Sequence, residues 1–204
     1  MENIQEKIEF LRNKLSQKRF IHSMNVAEES HRLSFIYGEN PDKAYLAGLL
    51  HDVCKELPPD EQREMVMKSG LSVTREELLS PPLWHAIAGA WYVRESLKIS
   101  DSDIINAIRF HTVGRAGMSR LEEIVYMADL ISADRTYKDV DRMRKLAKTD
   151  LNKAMLEALK FSMTSVMEKN GFIPEYTVQA YNQYAYVMTQ KKKDKDKKKN
   201  SDKK

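Results

Sequence analysis

The chain has 204 residues, 42 % hydrophobic and 31 % charged, enough to bury one sizeable core. No apolar run approaches the roughly 18 residues that cross a bilayer, and a single cysteine excludes an internal disulfide. The net charge of +4 does not mark a nucleic-acid surface: nine lysines and three aspartates in the run 191–204 carry +6, which leaves −2 on the other 190 residues.

The opening MENIQEKIEF is charged and amphipathic, unlike a signal peptide, so a reducing cytoplasm is the expected compartment. Ile4, Ile8, Leu11 and Leu15 recur at helical spacing and predict a first helix over 4–15. A second is predicted from about Phe20 to Tyr37, stopped by Gly38. The third opens on Asn40 with Pro41 in its first turn, runs through AGLLHDVCKEL and is ended by Pro58 and Pro59. PDEQREMVMKSG reads as a helix closed by Gly70, and Thr74 with Glu77 and Ser119 with Glu122 read as capping boxes. Helical patterns follow at 82–97, 101–112, 119–133, 139–147, 150–169 and near 175–189. No stretch alternates β-branched residues as a strand would. The expected fold is all-α, one domain over 1–190 with a disordered lysine-rich tail over 191–204. The tail could hold RNA or an anionic surface only by weak electrostatic contact; no specific nucleic-acid partner is expected.

Four of the five histidines stand in apolar helical segments: His22 in RFIHSMNVA, His51 in AGLLHDVC, His85 in PLWHAIAGAW and His111 in AIRFHTVG. Asp129 has the same setting in IVYMADLISA, and Asp52 adjoins His51. One such residue is satisfied by a backbone carbonyl, but an unpaired buried carboxylate costs several kcal/mol. A metal ion satisfies several of these groups at once, since neutral imidazoles and carboxylates are its usual ligands. Neighbours on a helix point about 100° apart, so His51 and Asp52 converge only at a fraying helix end. Asp52 could then give its two oxygens to two ions. His31, among polar residues, reads as a surface group. Trp84, Trp91 and the methionines Met65, Met67, Met118 and Met127 read as core, and Cys54 as buried and inert.

The order His22, His51-Asp52, His85, His111, Asp129 resembles the HD-domain superfamily of metal-dependent phosphohydrolases. RFIHSMNVA, HDVCKEL, LWHAIAGA and FHTVGRAGMSRLEEIVYMADLI resemble its symmetrically cleaving bis(5′-nucleosyl)-tetraphosphatases over about residues 5–187. The resemblance implies a helical bundle around a dinuclear site. His22, His51, Asp52 and Asp129 would hold one metal and His85 and His111 the second, with Asp52 bridging. Iron is the implied ion, with manganese or another divalent ion as substitutes. It implies hydrolysis of diadenosine tetraphosphate to two ADP. The alternatives are the same core acting on a guanosine alarmone, a cyclic dinucleotide or a simple nucleotide, or a nucleotide- or RNA-binding module with an inactive core. A homodimer is compatible with the sequence and not specified by it.

A polyphosphate substrate asks for cations beyond the metals. Lys55, one turn after Asp52, is expected to act in catalysis with Asp52 and to meet a phosphate oxygen. Arg19, Thr112, Gly114, Arg115 and Arg135 are the further candidate phosphate contacts, with Gly114 expected to offer a backbone N–H. One departure stands out. Where related sequences carry Glu-Pro-x-Arg after the last aspartate, this chain has Ser132-Ala133-Asp134-Arg135, which keeps the arginine and lacks the glutamate.

Overall fold

The computed structural model describes residues 4–201, with side chains for 4–194. Its helices are α1 (Ile4–Lys14), α2 (Gln17–Tyr37), α3 (Pro41–Leu50), α4 (Pro59–Lys68), α5 (Arg75–Leu78), α6 (Trp84–Glu95), α7 (Ser102–Phe110), α8 (Arg120–Ile131), α9 (Val140–Ala147), α10 (Leu151–Glu168) and α11 (Glu175–Ser201). A 3₁₀ turn, Pro81–Leu83, leads into α6. No strand occurs among the described residues, and the all-α expectation holds.

Local chemistry accounts for most of the boundaries. Asn40, Asp101 and Asp150 each accept a backbone N–H from the first turn that follows, satisfying donors that have no partner inside the helix. α2 starts earlier than Phe20 because Ser16 accepts the Arg19 N–H, so Arg19 lies in its first turn. The box at Thr74 and Glu77 closes in both directions. The one at Ser119 closes only halfway: Ser119 accepts the Glu122 N–H, but the Glu122 side chain turns to Arg115 instead.

Three expectations need correction. α3 ends at Leu50, eight residues before Pro58, and His51–Glu56 form successive tight turns. These are closed by Val53 N–H to Leu50 O (3.1 Å) and Lys55 N–H to Asp52 O (2.9 Å). The lysine-rich run, for which a disordered tail over 191–204 remains the expectation, continues α11 as helical backbone as far as Ser201, with Lys191 Nζ 3.2 Å from Asp150 Oδ1. Extending a formed helix fixes one residue per added bond, so a packed segment readily carries a polar extension. Residues 202–204 lie outside the described residues. Met67 is exposed, and His31 is half-buried with its ring edge against Phe35 and Tyr45.

The centre is a packed group of α2, α3, α7 and α8, with α6 laid on α7 and the α9–α11 layer on α8. α2 and α3 approach closely at Gly48. A Cβ built there would lie 2.6 Å from Ser30 Oγ and 2.9 Å from the Val26 carbonyl oxygen. Gly48 therefore sets the distance between the helix that carries His22 and the turn that carries His51 and Asp52.

Candidate metal centre

The six expected ligands come from five elements and meet at one point. His22 lies on α2, His51 and Asp52 just past α3, His85 in the first turn of α6, His111 at the end of α7 and Asp129 on α8. His51 caps α3 with helical dihedrals, and Asp52 lies in the turns that follow. His51 Nε2 then stands 3.4 Å from Asp52 Oδ2.

The two oxygens of Asp52 face different partners. Oδ2 faces His51 Nε2 and, at 3.8 Å, His22 Nε2. Asp129 Oδ1 is 3.1 Å from that His22 nitrogen and 4.0 Å from His51 Nε2. Oδ1 faces His85 Nε2 at 3.2 Å and His111 Nε2 at 3.7 Å, and those nitrogens are 3.2 Å apart. By proximity alone, the donors form the sets His22–His51–Asp129 and His51–Asp52–His111, each with ligand atoms within 4.8 Å of one another. His51 belongs to both sets, and His85 joins the second through Asp52 Oδ1.

All four rings have their outward nitrogen engaged, which turns the inner one to the centre. His51 Nδ1 bonds to Gly48 O (2.7 Å), His85 Nδ1 to Pro82 O (2.8 Å) and His111 Nδ1 to Ile108 O (2.7 Å). His22 is held instead by a carboxylate, Asp134 Oδ2, at 2.8 Å. Asn25 Nδ2 donates to the other Asp134 oxygen at 3.1 Å. Outer-shell partners of this kind fix the tautomer and aim of a metal-binding histidine. Ser132 is fully buried, with its hydroxyl near the Asp129 carbonyl. The carboxylate absent at 132 is thus present two residues on. Asp134 was missed in the sequence because a single acid after a helix end carries no local signal.

The electrostatics suit a cation. Burial drives the carboxyl pKa of Asp52 up, but the surrounding His51, His111 and His85 rings outweigh it and hold the group well below its usual value. Asp129 is likewise raised by burial and brought low, on balance, by His22, His51 and Arg135. Burial pushes His85 down to about 4 and lowers His111, so both rings are neutral, as a metal requires. Burial also opposes protonation of His51, but the Asp52 charge prevails and raises it. Buried His22 Nε2, His51 Nε2 and Asp52 Oδ1 make no well-formed hydrogen bond. Three orphaned polar atoms around one point are what a metal would satisfy, so the donor set fits one.

Around this centre the expected cations divide. Arg19 Nη1 bonds Asp52 Oδ2 at 2.7 Å. Arg135 Nη2 pairs with Asp129 Oδ1, and its Nε donates to the Asp129 carbonyl at 2.8 Å. Lys55 Nζ lies 3.2 Å from His85 Nε2, and burial lowers its pKa. Arg115 and Gly114 are not brought in. Buried Glu122 takes both arms of the Arg115 guanidinium (2.7 and 2.6 Å), which also lies over the Phe110 ring. Gly114 sits at φ +64° and donates its N–H to Phe110 O at 2.8 Å, closing α7 instead of facing a phosphate. The Thr112 hydroxyl is buried without a partner.

Residues 19–134 match the HD domain, and the chain belongs to that family of metal-dependent hydrolases. It is 36 % identical over 182 residues to a Bacillus subtilis protein named bis(5′-nucleosyl)-tetraphosphatase, symmetrical, covering 88 % of this chain and 96 % of the relative. A Staphylococcus aureus protein of the same name is 31 % identical over 188 residues, covering 90 % and 95 %. A Clostridium acetobutylicum crystal structure, described as a predicted HD superfamily hydrolase involved in NAD metabolism, superposes with a TM-score of 0.87 at 38 % identity. It covers 92 % of this chain and 99 % of that one. No helix among the described residues is long and apolar enough to cross a membrane.

Proposed function

We propose that this chain hydrolyses dinucleoside tetraphosphates, diadenosine tetraphosphate first among them, symmetrically into two nucleoside diphosphates. The observation that carries the reading is the division of Asp52, one oxygen toward His22 and His51, which Asp129 also meets, and the other toward His85 and His111. That division fits a bridging carboxylate between two ions, with iron the first candidate and manganese or another divalent ion as substitutes. When bound, the metal supplies Lewis-acid polarisation of phosphoryl oxygens and a lowered pKa for water. The named relatives support the substrate class.

The protein's own groups then have separable tasks. His22, His51, Asp129 and Oδ2 of Asp52 would hold one metal; His85, His111 and Oδ1 would hold the other. Lys55, beside His85, meets the charge that develops on the phosphoryl oxygens. Arg19 and Arg135 neutralise Asp52 and Asp129 at the mouth, where each guanidinium keeps a partly exposed face for a phosphate. Water adds its oxygen to the second phosphorus from one nucleoside. The bridge to the third phosphorus breaks, and that bridging oxygen leaves with the other ADP.

The test is turnover of diadenosine tetraphosphate in oxygen-18 water by protein purified without oxygen, with metal content measured on the same sample. ADP alone, with one label on the terminal phosphate of one ADP per turnover, is expected. AMP plus ATP would refute symmetrical cleavage. Preferred turnover of a guanosine alarmone, cyclic dinucleotide, simple nucleotide or NAD would move the reading to that substrate.

A further inference from the structure

We propose that the buried Glu77–Arg109 pair positions His85 and His111 against each other and so shapes the second metal position. The inference rests on the two-position reading above and adds what holds the His85–His111 side together. The two rings come from different helices, yet their Nε2 atoms stand 3.2 Å apart. Each Nδ1 is fixed only near its own residue, to Pro82 O and to Ile108 O. Bonds that local cannot set the distance between two elements. His85 also lies in the first turn of α6, an end that no side chain caps.

Glu77 links the two elements through both of its ends. Its carbonyl oxygen accepts the Trp84 indole N–H at 3.1 Å, one residue before His85. Its carboxylate takes both arms of the Arg109 guanidinium, at 2.7 and 3.0 Å, two residues before His111. The carboxylate is itself held: Oε2 accepts the Thr74 N–H at 2.9 Å. Arg109 Nη2 also donates to the Ser72 carbonyl at 2.9 Å. The end of α7 is thus clamped to the stretch 72–77, and through Trp84 to the start of α6. Glu77 and Arg109 are 0 % and 2 % exposed, so water does not compete for these bonds. Stability alone does not account for such a pair, since apolar residues of similar volume are often as stable in its place. What a bidentate guanidinium–carboxylate contact adds is a fixed distance and angle. Metal ligands need that, because a productive site tolerates displacements of only about 0.5 Å. Both residues act through the backbone of their neighbours and are positioning residues.

The experiment titrates the full chain, freed of metal, with manganese(II), and follows uptake by loss of the electron spin resonance signal of the free ion. One variant is Arg109→Met combined with Glu77→Gln, which removes the clamp without stranding a buried charge. The other is Trp84→Phe, which removes the indole N–H and keeps the ion pair. Each is checked for unchanged helical circular dichroism, and Trp84→Phe decides the matter if the double variant loses its fold. The unaltered protein should take up two ions. In the double variant one ion should keep its affinity within about twofold while the other binds about tenfold more weakly or worse, the scale on which partners outside the ligands act. Trp84→Phe should weaken the same ion to a smaller degree. Equal weakening of both ions would mean a merely structural role and overturn the inference, as would unchanged binding in both variants. A single ion in the unaltered protein would overturn the two-position reading together with this inference. Selective loss of one ion in a protein that does not split diadenosine tetraphosphate would sink the proposed reaction and leave the positioning role standing.

Discussion

Replacing Asp134 by alanine removes the one carboxylate that orients a histidine of the cluster. In the folded chain Asp134 Oδ2 is 2.8 Å from His22 Nδ1, and Asn25 anchors the other oxygen. Burial raises the Asp134 carboxyl, but the His22 bond and charge outweigh it and leave the group below its usual value, so it is ionised near neutrality. Its side chain is 33 % exposed, which screens part of the interaction. Losing such an outer-shell partner costs about 10- to 100-fold in metal affinity, or about 1.4–2.7 kcal/mol, and the exposure places the expectation at the lower end. Competition with a chromogenic chelator measures the affinity directly, without reference to turnover. Asp134→Asn keeps an oxygen for the ring and should recover most of the loss. A variant Asp134→Ala that binds metal as tightly as the unaltered protein would refute the assigned role.

Lys55→Ala should lower kcat by about 100-fold with metal content unchanged, because its partner is the developing phosphoryl charge; parallel loss of metal and rate would make Lys55 a structural residue. Arg109→Met leaves Glu77, fully buried and held at 2.7 and 3.0 Å, without its partner. It should cost about 3–5 kcal/mol in denaturant unfolding, largely restored by adding Glu77→Gln; a single-variant loss below about 1 kcal/mol would contradict the pairing. Asp150 caps α10 and meets Lys191. Burial raises its carboxyl, yet the Lys153 N–H and the Lys191 ammonium bring it below 3.8. Its stabilisation is therefore present above that value and lost as pH falls through the folded-state pKa. Asp150→Ala should cost about 1 kcal/mol near neutrality, with the gap to the unaltered protein closing in acid; a gap that stays constant on acidification would count against this.

Much of this protein is legible in its sequence because the governing relations are local. Asn40, Thr74, Asp101 and Asp150 act on N–H groups two to three residues away, and the helix-spaced apolar residues declare the buried faces. The six candidate ligands were legible for a related reason: a histidine or aspartate in an apolar helix needs a partner, and six such needs have one economical answer. What the tertiary structure alone decided is where long side chains and freed amides go. Arg115 reads as a phosphate contact until folding sets Glu122 beside it, and Gly114 reads as a phosphate donor until its N–H closes α7. The third helix, read through to Pro58, stops at Leu50, and His51 and Asp52 meet at one centre where it ends. Asp134 acquires its role by meeting a ring 112 positions away. Such a pairing depends on the distance between packed elements, here set in part by Gly48, and no pattern of neighbouring residues encodes that distance.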